Sequence, residues 1–199
     1  MTRNSTRRVH LVRHAQSRPV PGQSADTWRL TEQGHAQAAE LAEYARELPL
    51  RRVVTSVEPK AATTGRVIAQ ALGVPCLSRE GLHEHERRTV PFYARAEEFH
   101  ASVRRLFDRP AELVFGEESA DRTHDRFHAA VTRVMRESHD DELIVTHGTV
   151  LSLLVSRAND IDTAEFWASL HMPHLVTLTW PERRLVAQHA PAGATSAPG

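Results

Sequence analysis

Val9-His10-Leu11-Val12-Arg13-His14-Ala15-Gln16-Ser17 begins as a short β-rich run and then breaks into a polar, Pro-containing stretch that lasts to Asp26. That is a strand followed by a loop. Downstream, Thr31 is suited to cap a helix in which Ala36, Ala39, Leu41, Ala42 and Ala45 recur at helical spacing, and Pro49 closes it. Residues 51–55 read as a second strand. A helix started by Pro59 follows over 58–72, with Gly73 suited to its C-terminal cap. Strand, helix, strand, helix predicts an α/β domain whose central, mostly parallel sheet is covered by helices on both faces.

The remainder continues the pattern. Residues 74–77 read as a short strand, and 78–91 as a loop dense in charge and imidazole. Two amphipathic helices are predicted over 94–107 and 121–138, on either side of an irregular segment containing Pro110 and Gly116. Residues 143–146 form a continuous apolar strand, followed by Gly148 and another helix, which repeats the strand-to-loop change at His14. Residues 174–180 and 185–189, joined around Pro181, predict a hairpin. The expected organisation is a flexible N-terminus over 1–7, one domain over 8–190, and a tail over 191–199 with nothing to bury and therefore expected to be disordered.

The composition narrows the possible functions. In 199 residues, 25 Lys+Arg balance 25 Asp+Glu, so no basic surplus favours a nucleic-acid backbone, and nucleic acid is not an expected partner. The most apolar stretch, 150–155, is interrupted by Ser152 and is far shorter than the roughly 20 residues that cross a bilayer, so no membrane partner is expected either. The first eight residues are polar and basic without an apolar core, unlike a secretory signal. Cys76 is alone, which excludes an internal disulfide and points to a reducing, cytoplasmic setting. The unusual residue is histidine, present 13 times.

In a parallel sheet the carboxyl ends of the strands line the crevice where ligands bind. Two histidines hold that position: His14, after Arg13, and His147, before Gly148. If their strands are neighbours, an imidazole pair and a guanidinium converge at one edge, a constellation suited to an anion. Arg13 and His147 would disfavour a positive charge on His14 and keep one of its nitrogens unprotonated for attack. The same groups would hold a phosphoryl group and offset the charge that builds on its oxygens. Two metal-ligand sets were weighed, His83 with His85 and Glu86, and His124 with His128. Neither is complete, so no metal is expected. The imidazole-rich loop is expected at the pocket mouth, with Phe92 and Tyr93 either forming an apolar wall there or packing in the core.

These residues resemble a known family. Leu11-Val12-Arg13-His14-Ala15-Gln16-Ser17 resembles the Arg-His-Gly signature loop of the histidine phosphatase superfamily, with its phosphoglycerate-mutase-like fold. Leu30-Thr31-Glu32-Gln33-Gly34-His35-Ala36-Gln37-Ala38 is similar to the family's Leu-Thr-x-x-Gly-x-x-Gln-Ala helix start. Gly116-Glu117-Glu118-Ser119 followed by Arg126 is similar to its Gly-Glu-Ser segment, and Ile144-Val145-Thr146-His147-Gly148 to its second-histidine segment. The matches run in the family's order from about residue 9 to about residue 180.

The resemblance implies roles. His14 would be the nucleophile that becomes phosphohistidine, with Arg13 and His147 binding phosphoryl oxygens. Beside that, Gly148 is read as a phosphate-binding position, and Ser17 as either a donor to the phosphate or a cap of the loop. A carboxylic acid should protonate the leaving oxygen. In the family it follows a Leu after the third strand, which selects Glu84 in Leu82-His83-Glu84, with Glu86 as the alternative acid. Glu117 and Glu118 are read as partners of a helix dipole. Two positions depart from the pattern. Ala15 stands for the signature Gly, and Lys60 stands where the family has a second phosphate-binding Arg, keeping the charge but losing the bidentate fork.

The expected function is a metal-independent phosphomonoester hydrolase that acts on a small phosphorylated substrate and needs no cofactor. The alternatives are a phosphoglycerate-mutase-like phosphoryl transferase, a protein phosphohistidine phosphatase, and a phospho-ligand binding module without turnover. A metal-dependent hydrolase is a further reading. The family's cofactor-dependent mutases are typically longer, which favours hydrolysis.

Overall fold

Strand β1 (Arg7–Arg13) buries both faces from Val9 onward, because it has a neighbour on each side and helices above and below. It runs parallel to β4 (Glu142–Thr146), pairing Arg13 with Thr146, and antiparallel to β6 (His174–Trp180). The computed structural model describes residues 7–90 and 92–196. β2 (Val53–Thr55), β3 (Cys76–Ser78) and β7 (Leu185–His189) complete a six-stranded sheet in the order β3-β2-β4-β1-β6-β7. The first four strands of that order are mutually parallel, and β6 and β7 form the antiparallel hairpin expected near the end.

The period-2 alternation of the strands sorts their side chains into two cores. On one face Val12, Val53, Leu143, Val145 and Leu175 pack under α1 (Glu32–Ala45) and α2 (Pro59–Leu72), meeting Leu41, Ala42 and Ile68. On the other, Val9, Leu11, Val54, Ile144 and Val176 meet α4 (Ala120–Arg136), α5 (Gly148–Asn159) and α6 (Thr163–Ser169). In α4 the buried residues Phe127, Ala130, Val131 and Val134 keep the helical spacing that predicted it. α3 (Ala96–Asp108) lies beyond α6, where Phe99 and Val103 pack with Trp167. The result is one α/β domain, as the alternation of elements required.

Local chemistry sets the boundaries. The Thr31 hydroxyl accepts from the backbone N–H of Gly34 at 2.9 Å and caps α1. A side chain at position 34 would place its Cβ 2.1 Å from the Gln16 carbonyl, so glycine is what lets α1 start against the loop after β1. α2 starts at Pro59 and ends at Gly73, as expected.

Two expectations need correction. α6 and the two-residue strand β5 (His171–Met172) had no place in the sequence reading, because seven residues and two residues are too short to show a period. The tail expected to be disordered is instead held as far as Ser196, and 197–199 lie outside the described residues. Gln37 donates to the Gly193 carbonyl at 2.8 Å, Gly193 N–H donates to Glu40 at 3.2 Å, and β8 (Thr195–Ser196) pairs with β5. Those anchors are backbone hydrogen bonds to distant residues, which composition does not register. Of the segment expected to be flexible, Arg7 begins β1, and residues 1–6 lie outside the described residues.

Candidate active site

Because β1 and β4 are direct neighbours, the residues that follow them converge at one sheet edge. The His14 and His147 rings meet edge to face with centroids 5.2 Å apart. The His14 backbone N–H donates to the Thr146 carbonyl at 3.0 Å, which continues the β1–β4 ladder one residue into the site. Both imidazoles are buried.

The protonation of His14 is set by its own neighbour. Its Nδ1 lies 2.7 Å from the Ala15 carbonyl, which can only accept, so Nδ1 carries the proton and Nε2 keeps its lone pair. Burial, then the neighbouring His147 and Lys60, push its pKa well below the ordinary imidazole value, and the Ala15 bond only partly opposes them. Ala15 itself is fully buried, with its N–H donated to the Thr64 hydroxyl at 3.1 Å.

Arg13 donates to the Leu170 carbonyl at 2.8 Å, and its Nε is buried without a partner among the described residues. Burial lowers its pKa to about 10, so it stays cationic at neutral pH. Gly148 makes room for it: a Cβ there would lie 3.3 Å from both the Arg13 guanidinium carbon and the Trp167 indole nitrogen. The ring of His147 contacts the Ser56 hydroxyl through Nε2 at 2.9 Å, and its Nδ1 is buried without a partner among the described residues. Burial first, then Lys60, hold His147 neutral against the pull of Glu84. It therefore hydrogen-bonds as a neutral ring.

Glu84 and Glu86 separate cleanly. Glu84 lines the cavity that holds His14, where its carboxylate accepts the first free N–H groups of α5, from Thr149 at 3.1 Å and Val150 at 3.2 Å. Burial raises its pKa, but the Arg87 charge and the backbone N–H groups of Thr149 and His85 oppose it, and the net shift is downward. Glu86 instead lies 3.2 Å from His83 Nε2 and lines only the neighbouring cavity. The alternative acid is thus turned away from His14.

The loop that carries Glu84 is fastened from three sides. Arg126 donates to the carbonyls of Gly81, His83 and Glu84 at 2.9 to 3.0 Å and pairs with Glu118. Thr146 donates to the Leu82 carbonyl at 2.8 Å. Glu117 accepts from the N–H groups of Arg88 and Thr89. Glu117 and Glu118, read from sequence as helix-dipole partners, therefore order the loop. The imidazole-rich loop lines the larger cavity beside the site, as expected, with His83 and His85 among its lining residues; His85 is itself buried, with Nε2 at 2.8 Å from the Glu118 carbonyl. Among the described residues no three His, Cys, Asp or Glu side chains converge as a metal cage.

Lys60 is buried, and its ammonium is engaged by the Glu58 carboxylate at 2.5 Å and the Ala25 carbonyl at 2.6 Å. Glu58 also accepts the Glu84 N–H at 2.8 Å and lies 3.6 Å from His147 Nε2. Arg13, His14, Ser17, Lys60, Glu84 and Gly148 line one cavity of about 50 Å³, walled by Trp28, Phe99, Trp167 and Met172. It shares Lys60, Glu84 and Arg87 with a neighbouring cavity of about 190 Å³. Phe92 and Tyr93 line a third, with Trp28, Phe99 and Arg87. Sequence reasoning missed Glu58 and Arg87. Arg87 lies in the loop dense in charge and imidazole, where no local pattern separates it from its neighbours, and a cation three residues after the chosen acid was the available signal.

An imidazole with a free nitrogen, a guanidinium with an unpartnered Nε and a carboxylate around one small cavity, with the fully buried ring of His147 against His14 though not itself lining that cavity, suit phosphoryl-transfer chemistry. The comparisons agree: residues 9–189 match the model of the histidine phosphatase superfamily (branch 1), and the chain belongs to that superfamily. It is 31% identical over 160 residues to a probable phosphoglycerate mutase (GpmB) of Salmonella paratyphi A, covering 74% of this chain and 73% of that one. Among solved structures it is similar to a mycobacterial glucosyl-3-phosphoglycerate phosphatase, with a TM-score of 0.68, 16% identity, and coverage of 92% of this chain and 97% of that one. It is also similar to a phosphoserine phosphatase of Entamoeba histolytica solved with 3-phosphoglyceric acid, with a TM-score of 0.73, 15% identity, and coverage of 94% and 98%. At such identities the two structures establish the fold.

Proposed function

We propose that this chain hydrolyses a small phosphomonoester through a phosphohistidine formed on Nε2 of His14. The observation that carries the reading is the bond from His14 Nδ1 to the Ala15 carbonyl, which fixes the tautomer and leaves Nε2 as a lone pair in a cavity lined by cations. Nε2 attacks phosphorus in line, the ester P–O bond breaks, and its electron pair goes to the leaving oxygen. Arg13 offsets the charge on the phosphoryl oxygens, His147 and Ser17 donate hydrogen bonds to them, Lys60 lends charge from beside Glu58, and Gly148 lets the backbone approach.

Glu84 supplies the proton to the leaving oxygen. In the free protein it is ionised and bonded to the start of α5, so it must first take up a proton; a phosphate dianion entering the cavity raises its pKa and favours that uptake. In the second half Glu84 accepts a proton from water, the water oxygen attacks phosphorus, and the P–N bond breaks to return the electron pair to Nε2. The cycle needs only the chain's own residues, solvent protons and the attacking water, and uses no metal or organic cofactor. A cytoplasmic setting goes with this reading, since Cys76 has no second cysteine to pair with.

Hydrolysis is favoured over return of the phosphoryl group to a second hydroxyl, as in a mutase, because the His14 cavity adjoins the larger one whose rim includes exposed Val57 and Arg88. Water reaches the phosphohistidine from that side. The test is phosphate release from an aryl phosphate in excess chelator, beside acid-labile, base-stable label on the protein. Both signals should be present in the native chain and absent in His14→Ala. A folded native chain giving neither signal would leave a binding module without turnover.

A further inference from the structure

The family position for a second phosphate-binding guanidinium is filled here by Lys60, whose charge is shared with Glu58 and the Ala25 carbonyl. An ammonium cannot make the paired, planar contacts that a guanidinium makes to two phosphoryl oxygens. Arg87 stands close by. It follows Glu84 by three residues, and its side chain lines the His14 cavity, the larger cavity and the aromatic cavity, so it sits where the three meet. Its guanidinium carbon lies 4.3 Å from the centroid of the Phe99 ring, which sets its plane against one wall.

The other cations around the site have partners. Arg13 is bonded to Leu170, Lys60 to Glu58, and Arg126 to Glu118 and three loop carbonyls. Arg87 makes no side-chain hydrogen bond or ion pair among the described residues, although two carboxylates are near enough to act on its charge. Those carboxylates are committed elsewhere, Glu84 to the start of α5 and Glu58 to Lys60 and the Glu84 N–H. Desolvating a guanidinium in a concave site without a partner is costly, and an anion between it and Arg13 offsets that cost.

We propose that Arg87 is the second phosphoryl-binding guanidinium of the site, carried by the loop after β3 rather than by α2. This rests on the phosphoryl-transfer reading above. One fork then comes from β1 and one from the loop that also carries Glu84, so the clamp on the phosphoryl group and the proton donor share a single fastened segment.

The test measures two quantities in the full chain: binding of inorganic phosphate, from the shift in Tm with concentration, and kcat/KM on an aryl phosphate. Arg87→Ala should lose about 10²-fold in kcat/KM and about tenfold in phosphate affinity, the share expected of one charged contact. Arg87→Lys should recover only part of either, because it restores charge without the fork. Adding Lys60→Arg to Arg87→Ala should recover turnover by returning a guanidinium from α2. If Arg87→Ala fails to fold, Arg87→Lys, which keeps the charge, carries the comparison.

Phosphate affinity and kcat/KM both within about threefold of the native chain in Arg87→Ala, while His14→Ala abolishes turnover, would overturn the assignment and leave hydrolysis standing. Phosphate binding that depends on Arg87 without turnover in any variant would do the reverse. A native chain that neither binds phosphate nor hydrolyses the ester would overturn both.

Discussion

The two ends of one sheet treat their charges in opposite ways. At the amino end, Arg52 pairs with Glu142 at 2.9 Å and Glu137 at 3.0 Å, and Arg7 donates to the carbonyls of Met135 and Asp140 at 2.8 to 3.1 Å. At the carboxyl end, Arg13 Nε and His147 Nδ1 are buried without partners, and Arg87 makes no ion pair among the described residues. Both ends are built from the same residue types on neighbouring strands. Unsatisfied buried groups cost folding free energy, and those of Arg13 and His147 lie at the His14 site, where an anion would offset part of that cost. The amino-end charges named here are paired within the chain, whereas these carboxyl-end groups are left for a ligand to complete.

That contrast can be broken from either side. The largest expected effect is on the carboxyl end, where His14→Ala should lower turnover by at least about 10⁴-fold without lowering Tm, measured by phosphate release beside thermal unfolding. Glu84→Gln should cost about 10² to 10⁴-fold in turnover of esters with poor leaving groups. The loss should shrink with an aryl phosphate whose leaving oxygen needs little protonation, and equal losses on both would remove Glu84 from the proton-transfer step.

At the amino end, Arg52→Ala leaves the buried Glu142 without its guanidinium. It should cost about 3 to 5 kcal/mol in denaturant unfolding, with turnover per folded molecule unchanged. A comparable loss of turnover there would mean that the two ends are coupled.

Acid sharpens the same comparison. His10, bonded to Thr177 at 2.9 Å, and His174 each have pKa values lowered to about 4, in both cases chiefly by burial. Both are depressed below their unfolded values, so the unfolded chain binds more protons between pH 6.5 and 4. Stability should therefore fall across that window, by on the order of a few kcal/mol, with further losses below it as the ion-paired Glu118 and Glu137 protonate. Burial and the neighbouring His147 and Lys60 hold the His14 pKa well below the ordinary imidazole value, so kcat/KM should show no ionisation near pH 6.5 from the nucleophile while the chain stays folded. The smallest effect is reserved for the other histidine pair. His124 and His128, stacked with centroids 5.8 Å apart on α4, should each change stability by less than about 0.5 kcal/mol on replacement by Ala, and turnover should not move.

The sequence by itself determined the alternation of strands and helices, the parallel character of the sheet and the placing of His14 and His147 at strand ends, because these follow from periodicity, caps and the direction of parallel strands. The resemblance of four ordered segments added the family. Tertiary packing alone set which of these residues meet. The placing of Glu84, and not Glu86, in the His14 cavity and the exposure of Arg87 to three cavities depend on where the loop after β3 is fastened, while the local bonds of His14 to Ala15 and of Lys60 to Glu58 are buried by the elements packed over them. Arg126 in α4 and Glu118 just before that helix do the fastening. The tail teaches the same lesson, since its hydrogen bonds to Gln37 and Glu40 join residues more than 150 positions apart. Local pattern records which side chains face inward, whereas the partner each one finds is set by the packing of the whole chain.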